Sequence, residues 1–441
     1  MSYVLDIFRG LRFSLIVLYF ATFIMRFSAY LAIALISYMV EPAPRALVIV
    51  FYSLFEILTV SFFGVLSDRR GRRIVLIISH LLTSIGVILF ATVGFFQGKV
   101  ETNDLILVTF VYFPIMGIMG AGAASKVAST LTMIADESTI ETRAQYMGFF
   151  DLATLGGFAA GLATGHILQA LFDFSLVGSF LIAVFIVLIS LILVMFWVDE
   201  TLNPEELAKA QETEMKNTEF LTRVARVIRT NKDLQKILPV YIPMISLYGL
   251  LVAYTKEIVE DELDAGLSFE LVFVVGLLGI TVSVSMLIMG KLSDIRRERR
   301  PFIIIGLICL AILITLFRYY PSIDVSSFEG LFSIWPITAI LGFGVGMFPP
   351  AILAYLTDIS KKDTRGTMFG VYSVIFGTGM IIGPIMGSIF VEIAVSGWGE
   401  SAEVWGLVAA VILLVTLSCL GTLFLTERAK EDESAEVPIL K

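Results

Sequence analysis

Long apolar runs alternate with short polar breaks along the whole of this chain. A helix needs about 20 mainly apolar residues to cross about 30 Å of hydrocarbon, and twelve stretches reach that length. The first six run Phe13–Tyr38, Ala46–Leu66, Ile74–Phe96, Leu105–Ala135, Ala144–Phe172 and Leu176–Val198. The second six run Ile237–Thr255, Leu267–Gly290, Pro301–Phe317, Leu331–Leu356, Gly366–Val391 and Val404–Leu425. The pattern predicts an all-α membrane protein with twelve transmembrane helices in two pseudo-symmetric six-helix bundles. Residues 1–198 form the first half and 237–426 the second, joined by a cytoplasmic linker at 199–236 and followed by a charged cytoplasmic tail at 427–441. Within the linker, Glu219–Gln235 sets Phe220, Leu221, Val224, Val227 and Ile228 against Arg223, Arg226, Arg229 and Lys232. That is the pattern of an amphipathic helix on the membrane face, although a plain connector fits the linker equally well.

The two halves repeat each other. Leu131-Thr-Met-Ile-Ala-Asp136 leads through Arg143 to Gly148, and 222 residues later Leu353-Ala-Tyr-Leu-Thr-Asp358 leads through Arg365 to Gly370. Gly161 recurs as Gly383 at the same offset. Gly64-Val-Leu-Ser-Asp68 recurs as Gly290-Lys-Leu-Ser-Asp294 at an offset of 226. The charged stretches are expected in loops between the apolar runs. An apolar chain built from two similar halves is the sequence form of a transporter that rocks one half against the other.

Charge sets the expected orientation. Odd-numbered gaps hold only Arg45, Lys99, Lys256 and Arg318, whereas the termini and even-numbered gaps hold nearly all other Lys and Arg. Positive residues stay inside, so both termini are expected in the cytoplasm of a protein of the cell membrane. The first run is too long for a cleaved leader and lacks its small-residue site, so it reads as a signal anchor.

At 57% hydrophobic residues and a mean hydropathy of +0.91, the composition lies far from a soluble mixture. The net charge of −8 draws on Glu260, Asp261, Glu262 and Asp264 in an outer loop, and no basic groove for nucleic acid is present. Cys309 and Cys419 fall inside apolar runs and read as small core residues. There is no nucleotide loop, metal cluster or nucleophile constellation, so neither catalysis nor a cofactor is expected.

Gly64-Val-Leu-Ser-Asp68-Arg69-Arg70-Gly71-Arg72-Arg73, between runs two and three, resembles the signature loop of the major facilitator superfamily. Its degenerate copy, Gly290-Lys-Leu-Ser-Asp294 to Arg299, lies between runs eight and nine, where that family also carries one. The resemblance covers the whole chain in span count, loop placement and repeat. It implies an inner gate in which Asp68 meets the start of span eleven near Gly366 and Arg72 and Arg73 pair with Asp68. Asp136, Glu141 and Arg143, with Asp358, Asp363 and Arg365, resemble the family's secondary latch. Asp294 is the second-half counterpart of Asp68. Gly64 suits a close helix contact, and a carboxylate at Asp68 suits the amides of a helix start. Arginines that merely follow the positive-inside rule are the competing reading, but that rule does not require Gly and Asp at fixed spacing.

Four charged residues lie well inside the runs, all in the first half. At about 1.5 Å per residue, Glu56 is about 18 Å from Asp68, Lys126 about 15 Å from Asp136, Arg26 about 21 Å from Arg12 and Asp151 about 12 Å from Arg143. The midplane lies about 15 Å deep, and a charge there faces a cavity or a partner. The repeat maps Lys126 onto Phe348, Asp151 onto Ser373 and Glu56 onto Val282. The first half thus reads as the ion-handling half, with Arg26, Glu56, Lys126, Asp151 and Tyr30 in the cavity. The second half supplies aromatic walls, including Tyr248, Trp335 and Phe348. Arg26 and Lys126 suit a carboxylate or phosphate, and Glu56 or Asp151 suits a proton. A structural Arg26–Glu56 pair is the competing reading, and Asp151 at a solvated mouth is another. His80 and His166 read as packing residues.

The subfamily stays open. Drug/proton antiporters of the superfamily carry an arginine in span four where Met116 stands here, and a span-five Gly-Pro that is absent. Arg26-Phe27-Ser28-Ala29-Tyr30 with Lys126 resembles the proton-coupled peptide transporters, but Met25 and Thr22 replace that family's glutamates. The sequence therefore implies a monomeric, proton-coupled carrier of a small organic solute, with the lipid bilayer as its surroundings. Multidrug efflux is the alternative. A non-transporting sensor or assembly subunit of the same fold is a third.

Overall fold

The computed structural model describes residues 12–97, 104–138, 142–170, 175–202, 228–264, 269–296, 298–317, 328–358, 365–399 and 403–425. Its elements are helices, and no strand occurs among the described residues. They are α1 (Phe13–Ile36), α2 (Pro42–Arg70), α3 (Arg72–Gln97), α4 (Phe113–Glu137, entered through a π-helical turn at Val108–Tyr112), α5 (Arg143–Ala170) and α6 (Leu176–Trp197). The second half holds α7 (Lys232–Asp264), α8 (Phe269–Arg296), α9 (Arg300–Phe317), α10 in two segments (Phe328–Val345 and Phe348–Asp358), α11 (Arg365–Trp398) and α12 (Glu403–Gly421). Ten helices among the described residues are long and apolar enough to cross a membrane. Helix α2 is not one of them and carries Arg45 and Glu56 along its length; the described apolar part of α9 is shorter, Arg300–Leu313.

Polarity is inverted relative to a water-soluble protein. Phe95, Phe96, Phe185, Ile340 and Trp398 are exposed, while Thr22, Ser28, Ser79, Ser125 and Ser129 are buried. In water such an apolar surface would be an aggregation hazard. Against lipid it is the favourable side, and the hydroxyls find carbonyls inside, as Ser28 does at Ala183 (2.7 Å).

Helix contacts repeat between the halves of the sequence. Helices α1 and α5 pack together as α7 and α11 do, α2 and α4 as α8 and α10, and α3 and α6 as α9 and α12. The repeated glycine explains one of these pairs. A Cβ at Gly161 would collide with the Phe27 carbonyl of α1, and a Cβ at Gly383 with the Ser246 carbonyl of α7. The recurrence at one offset is thus the same close helix crossing made twice. Across the halves, α2 packs on α11, and α5 packs on α8 and on the second segment of α10.

Three expectations change. The stretch from Gly64 to Arg70 is not loop but the last two turns of α2, since helical hydrogen bonding continues past the apolar run. It ends at Gly71, whose φ of +98° suits glycine alone. The fourth and tenth gaps are entered the same way, with Asp136 and Asp358 still helical. Run ten is interrupted near Met347, because Pro349 and Pro350 lack amide hydrogens and sit in the first turn of a new helix. In the linker, the part of Glu219–Gln235 before Ile228 lies outside the described residues. The helix does not run on to Gln235: Asn231 Oδ1 accepts the Leu234 amide at 3.1 Å and starts α7 instead.

Candidate functional site

The charged residues predicted at mid-depth are all buried: Glu56 and Lys126 at 0% exposure, Arg26 at 3% and Asp151 at 5%. Helix α4 reaches α2 closely because Gly120 lies against the Tyr52 carbonyl, which brings Lys126 and Glu56 into one region. Arg26 Nη1 donates to Tyr52 Oη at 3.1 Å, and its guanidinium lies 5.8 Å from the Tyr30 ring centre. Lys126 Nζ donates to Thr154 Oγ1 at 3.4 Å and sits 5.0 Å from the Phe150 ring centre.

These four groups interact electrostatically without hydrogen-bonded pairing. Arg26 and Lys126 both act on Glu56, and Lys126 also acts on Asp151. Among the described residues, neither carboxylate oxygen of Glu56 has a hydrogen-bond partner, and Asp151 Oδ2 and Arg26 Nε have none either. The direct Arg26–Glu56 pair offered as a structural reading is therefore not formed here; Arg26 turns to Tyr52 instead. A buried, unpartnered carboxylate is costly, by several kcal/mol in real proteins, and such a group awaits a proton, water or a ligand.

A small space of about 10 Å³ opens between the two halves of the sequence, lined by Arg26, Tyr30, Thr154, Leu155, Phe158, Tyr248, Phe376 and Met380. That is room for about one water. The ring of Phe158 bridges the space, meeting Tyr30 at 4.5 Å and Tyr248 at 6.2 Å, both edge to face. Tyr241 and Tyr372 extend the aromatic wall at a centroid spacing of 5.7 Å. Of the predicted cavity residues, Arg26, Tyr30 and Tyr248 line this space. Lys126 is joined to it through Thr154, while Glu56 and Asp151 are not on the lining. Phe348 is not on it: its backbone and Cβ crowd Gly306 of α9. Trp335, on the first segment of α10, is not on it either. His80 is buried with Nδ1 at 2.9 Å from the Leu76 carbonyl, and His166 bonds Tyr38 at 3.2 Å.

The arginine-rich end holds a second network. Arg72, at the start of α3, forms an ion pair with Asp136 at the end of α4. Thr201 joins both, accepting from Arg72 at 3.2 Å and donating to Asp136 at 3.1 Å. Arg73 Nη2 donates to the Met195 carbonyl at 2.6 Å. Glu200 completes the cluster: its carboxylate accepts the amides of Arg72 (3.1 Å) and Arg73 (3.0 Å) and so caps α3. In the second half Asp294 pairs with Arg299 at 2.8 Å within its own turn. Gly64 meets nothing that an added Cβ would touch. The side chains of Asp68, Arg143, Asp358 and Arg365 lie outside the described residues.

Sequence reading missed Tyr52, Thr154 and Glu200. The first two were within reach, since Tyr52 lies four residues before Glu56 and Thr154 three after Asp151, on the same helix faces. Glu200 acts across a tertiary contact that no local spacing announces.

A family model described as Major Facilitator Superfamily matches residues 15–337 and 296–438. Multidrug resistance protein 2 of Bacillus subtilis (strain 168) is 24% identical over 349 residues, covering 78% of this chain and 78% of its own. The proton-coupled antiporter flippase LtaA of Staphylococcus aureus (strain MSSA476) is 23% identical over 366 residues, covering 80% of this chain and 83% of its own. Among solved structures, the proton:xylose symporter XylE aligns with a TM-score of 0.64 at 15% identity, over 93% of this chain and 94% of its own. The human organic anion transporter TETRAN aligns with a TM-score of 0.61 at 15% identity, over 93% of this chain and 99% of its own. At such identities the structural likeness speaks for the fold alone.

Proposed function

Since the chain belongs to the major facilitator superfamily, we propose that it is a twelve-span secondary transporter of two pseudo-symmetric six-helix bundles. It moves a small organic solute across the cell membrane by alternating access, coupled to protons, with both termini in the cytoplasm. Residues 1–198 and 237–426 are its two halves, and the arginine-rich end is its inner gate.

The observation that carries the coupling is Glu56: fully buried, without a hydrogen-bond partner on either oxygen, and under the influence of both Arg26 and Lys126. A charge at mid-membrane costs at least about 2.5–3.5 kcal/mol. Gaining a proton removes that charge from Glu56 and leaves Arg26 and Lys126 with less compensating charge, Asp151 remaining beside Lys126, which changes what the neighbouring cavity attracts. Proton occupancy and solute occupancy are then linked through one electrostatic field.

The test uses proteoliposomes and any solute that raises the thermal stability of the purified protein. Wild type accumulates that solute under a pH gradient. Glu56→Gln exchanges it across the membrane at an unchanged rate but no longer accumulates it. Full gradient-driven accumulation by Glu56→Gln overturns the assignment.

Efflux of lipophilic compounds by antiport is the second reading. It draws on the relative named Multidrug resistance protein 2 and on the aromatic wall of Tyr241, Tyr248 and Tyr372.

A further inference from the structure

We infer that the space between the halves is a binding site for an amphipathic organic anion, with Arg26 as the recognising cation. The inference rests on the transporter reading and narrows its substrate class.

Three observations carry it. First, the lining contains one charged side chain, Arg26, and no carboxylate. Glu56 and Asp151 are not on it, so the charge on the wall of the space is positive. Second, Arg26 is under-used. It is 97% buried by its 3% exposure, its Nε has no partner, and its one hydrogen bond runs from Nη1 to Tyr52. A guanidinium presents five donors in a planar fork matched to carboxylate and phosphate, so most of its donor capacity remains for a ligand. Lys126 adds a second positive charge, bonded to the hydroxyl of the lining residue Thr154.

Third, the rest of the wall is aromatic and apolar and comes from both halves. Tyr30 and Phe158 face Tyr248, Phe376 and Met380. A ligand with an anionic head on Arg26 places its body between Phe158 and Tyr248, whose rings now meet edge to face at 6.2 Å. The present space holds about one water, so the halves part there to admit it. This charge order disfavours lipophilic cations, the opposite of what a cation-exporting pump requires.

The experiment measures thermal stabilisation of the full chain in detergent by three matched probes: phenylbutyrate, phenylbutanol and phenylbutylammonium. Phenylbutyrate is expected to stabilise the wild type in a saturable way, with the alcohol weaker and the amine without effect. Arg26→Gln weakens phenylbutyrate binding by at least about tenfold, the scale of a lost hydrogen bond to a charged group. Arg26→Lys keeps the preference for the anion over the amine. Stabilisation by the amine equal to or above that by the acid in wild type overturns the inference without recourse to any variant. So does the absence of binding by all three, or undiminished phenylbutyrate binding in a folded Arg26→Gln. Because no pH gradient is present, these outcomes do not depend on proton-driven accumulation. Anion binding that persists while gradient-driven accumulation fails overturns the coupling and leaves the anion site standing.

Discussion

Arg72 at the start of α3 forms an ion pair with Asp136 at the end of α4, residues 64 positions apart in the sequence that meet only in the fold. The Arg72 side chain is 9% exposed and that of Asp136 is 34%. Solvent therefore screens the pair from one side, and its worth is nearer that of a surface bridge, about 1 kcal/mol. Thr201 and Glu200 tie the segment after α6 to the same point. The arginine-rich end of the first half is thereby held as one piece, a requirement for moving it as a rigid body against the second half.

Glu200 is expected to matter for stability more than its place in a linker implies. Its carboxylate takes the first two amides of α3, which otherwise have no helical acceptor. Glu200→Ala should cost about 1 kcal/mol, read as a fall of about 2 °C in melting temperature of the purified protein. An unchanged melting temperature would mean that water serves those amides equally well.

The glycine pair makes a symmetric prediction. Gly161→Leu and Gly383→Leu each force a side chain into the backbone of the helix opposite, and overpacking of that kind costs about 1–3 kcal/mol. The two variants should lower the melting temperature by similar amounts. Gly397→Ala is the control, because nothing lies near its added Cβ. A large loss at one glycine and none at the other would break the equivalence of α1–α5 and α7–α11.

Much of this was legible beforehand, and the rest was not for identifiable reasons. Gly161 and Gly383 were legible as a repeated position, and the fold supplies the reason: close helix crossing tolerates no Cβ, a constraint that leaves its mark on single positions. Arg26, Lys126, Glu56 and Asp151 announced a buried polar region because charge at mid-depth is costly. Their partners were a different matter. Arg26 bonding Tyr52 rather than Glu56 depends on how α1 and α2 are rotated, and Phe348 packing on α9 depends on the break at Pro349 and Pro350. The helical state of Gly64–Arg70 escaped because hydropathy marks where lipid ends, whereas the helix ends only at Gly71.

Lys126 should separate stability from function. It forms one long hydrogen bond to Thr154 and is otherwise a buried cation. Replacing a whole buried ion pair by apolar side chains is often neutral or stabilising, by about 1–4 kcal/mol, whereas removing one partner of a hydrogen-bonded pair destabilises by about 3–5 kcal/mol. Lys126 bonds a hydroxyl and not a carboxylate, so its loss breaks no such pair. Lys126→Met should therefore melt no lower than wild type, yet lose solute accumulation in proteoliposomes. A strongly destabilised Lys126→Met would assign the lysine to the structure rather than to the site.

Alternating access itself is tested most directly by distance. Spin labels at Arg70→Cys on α2 and Arg296→Cys on α8, both exposed at the arginine-rich end, report the separation of the halves by pulsed electron resonance in a Cys309→Ser, Cys419→Ser background. Two separations are expected in wild type. A bound solute should shift weight between them. A single separation that a bound solute leaves unchanged would contradict a transporter that rocks its two halves.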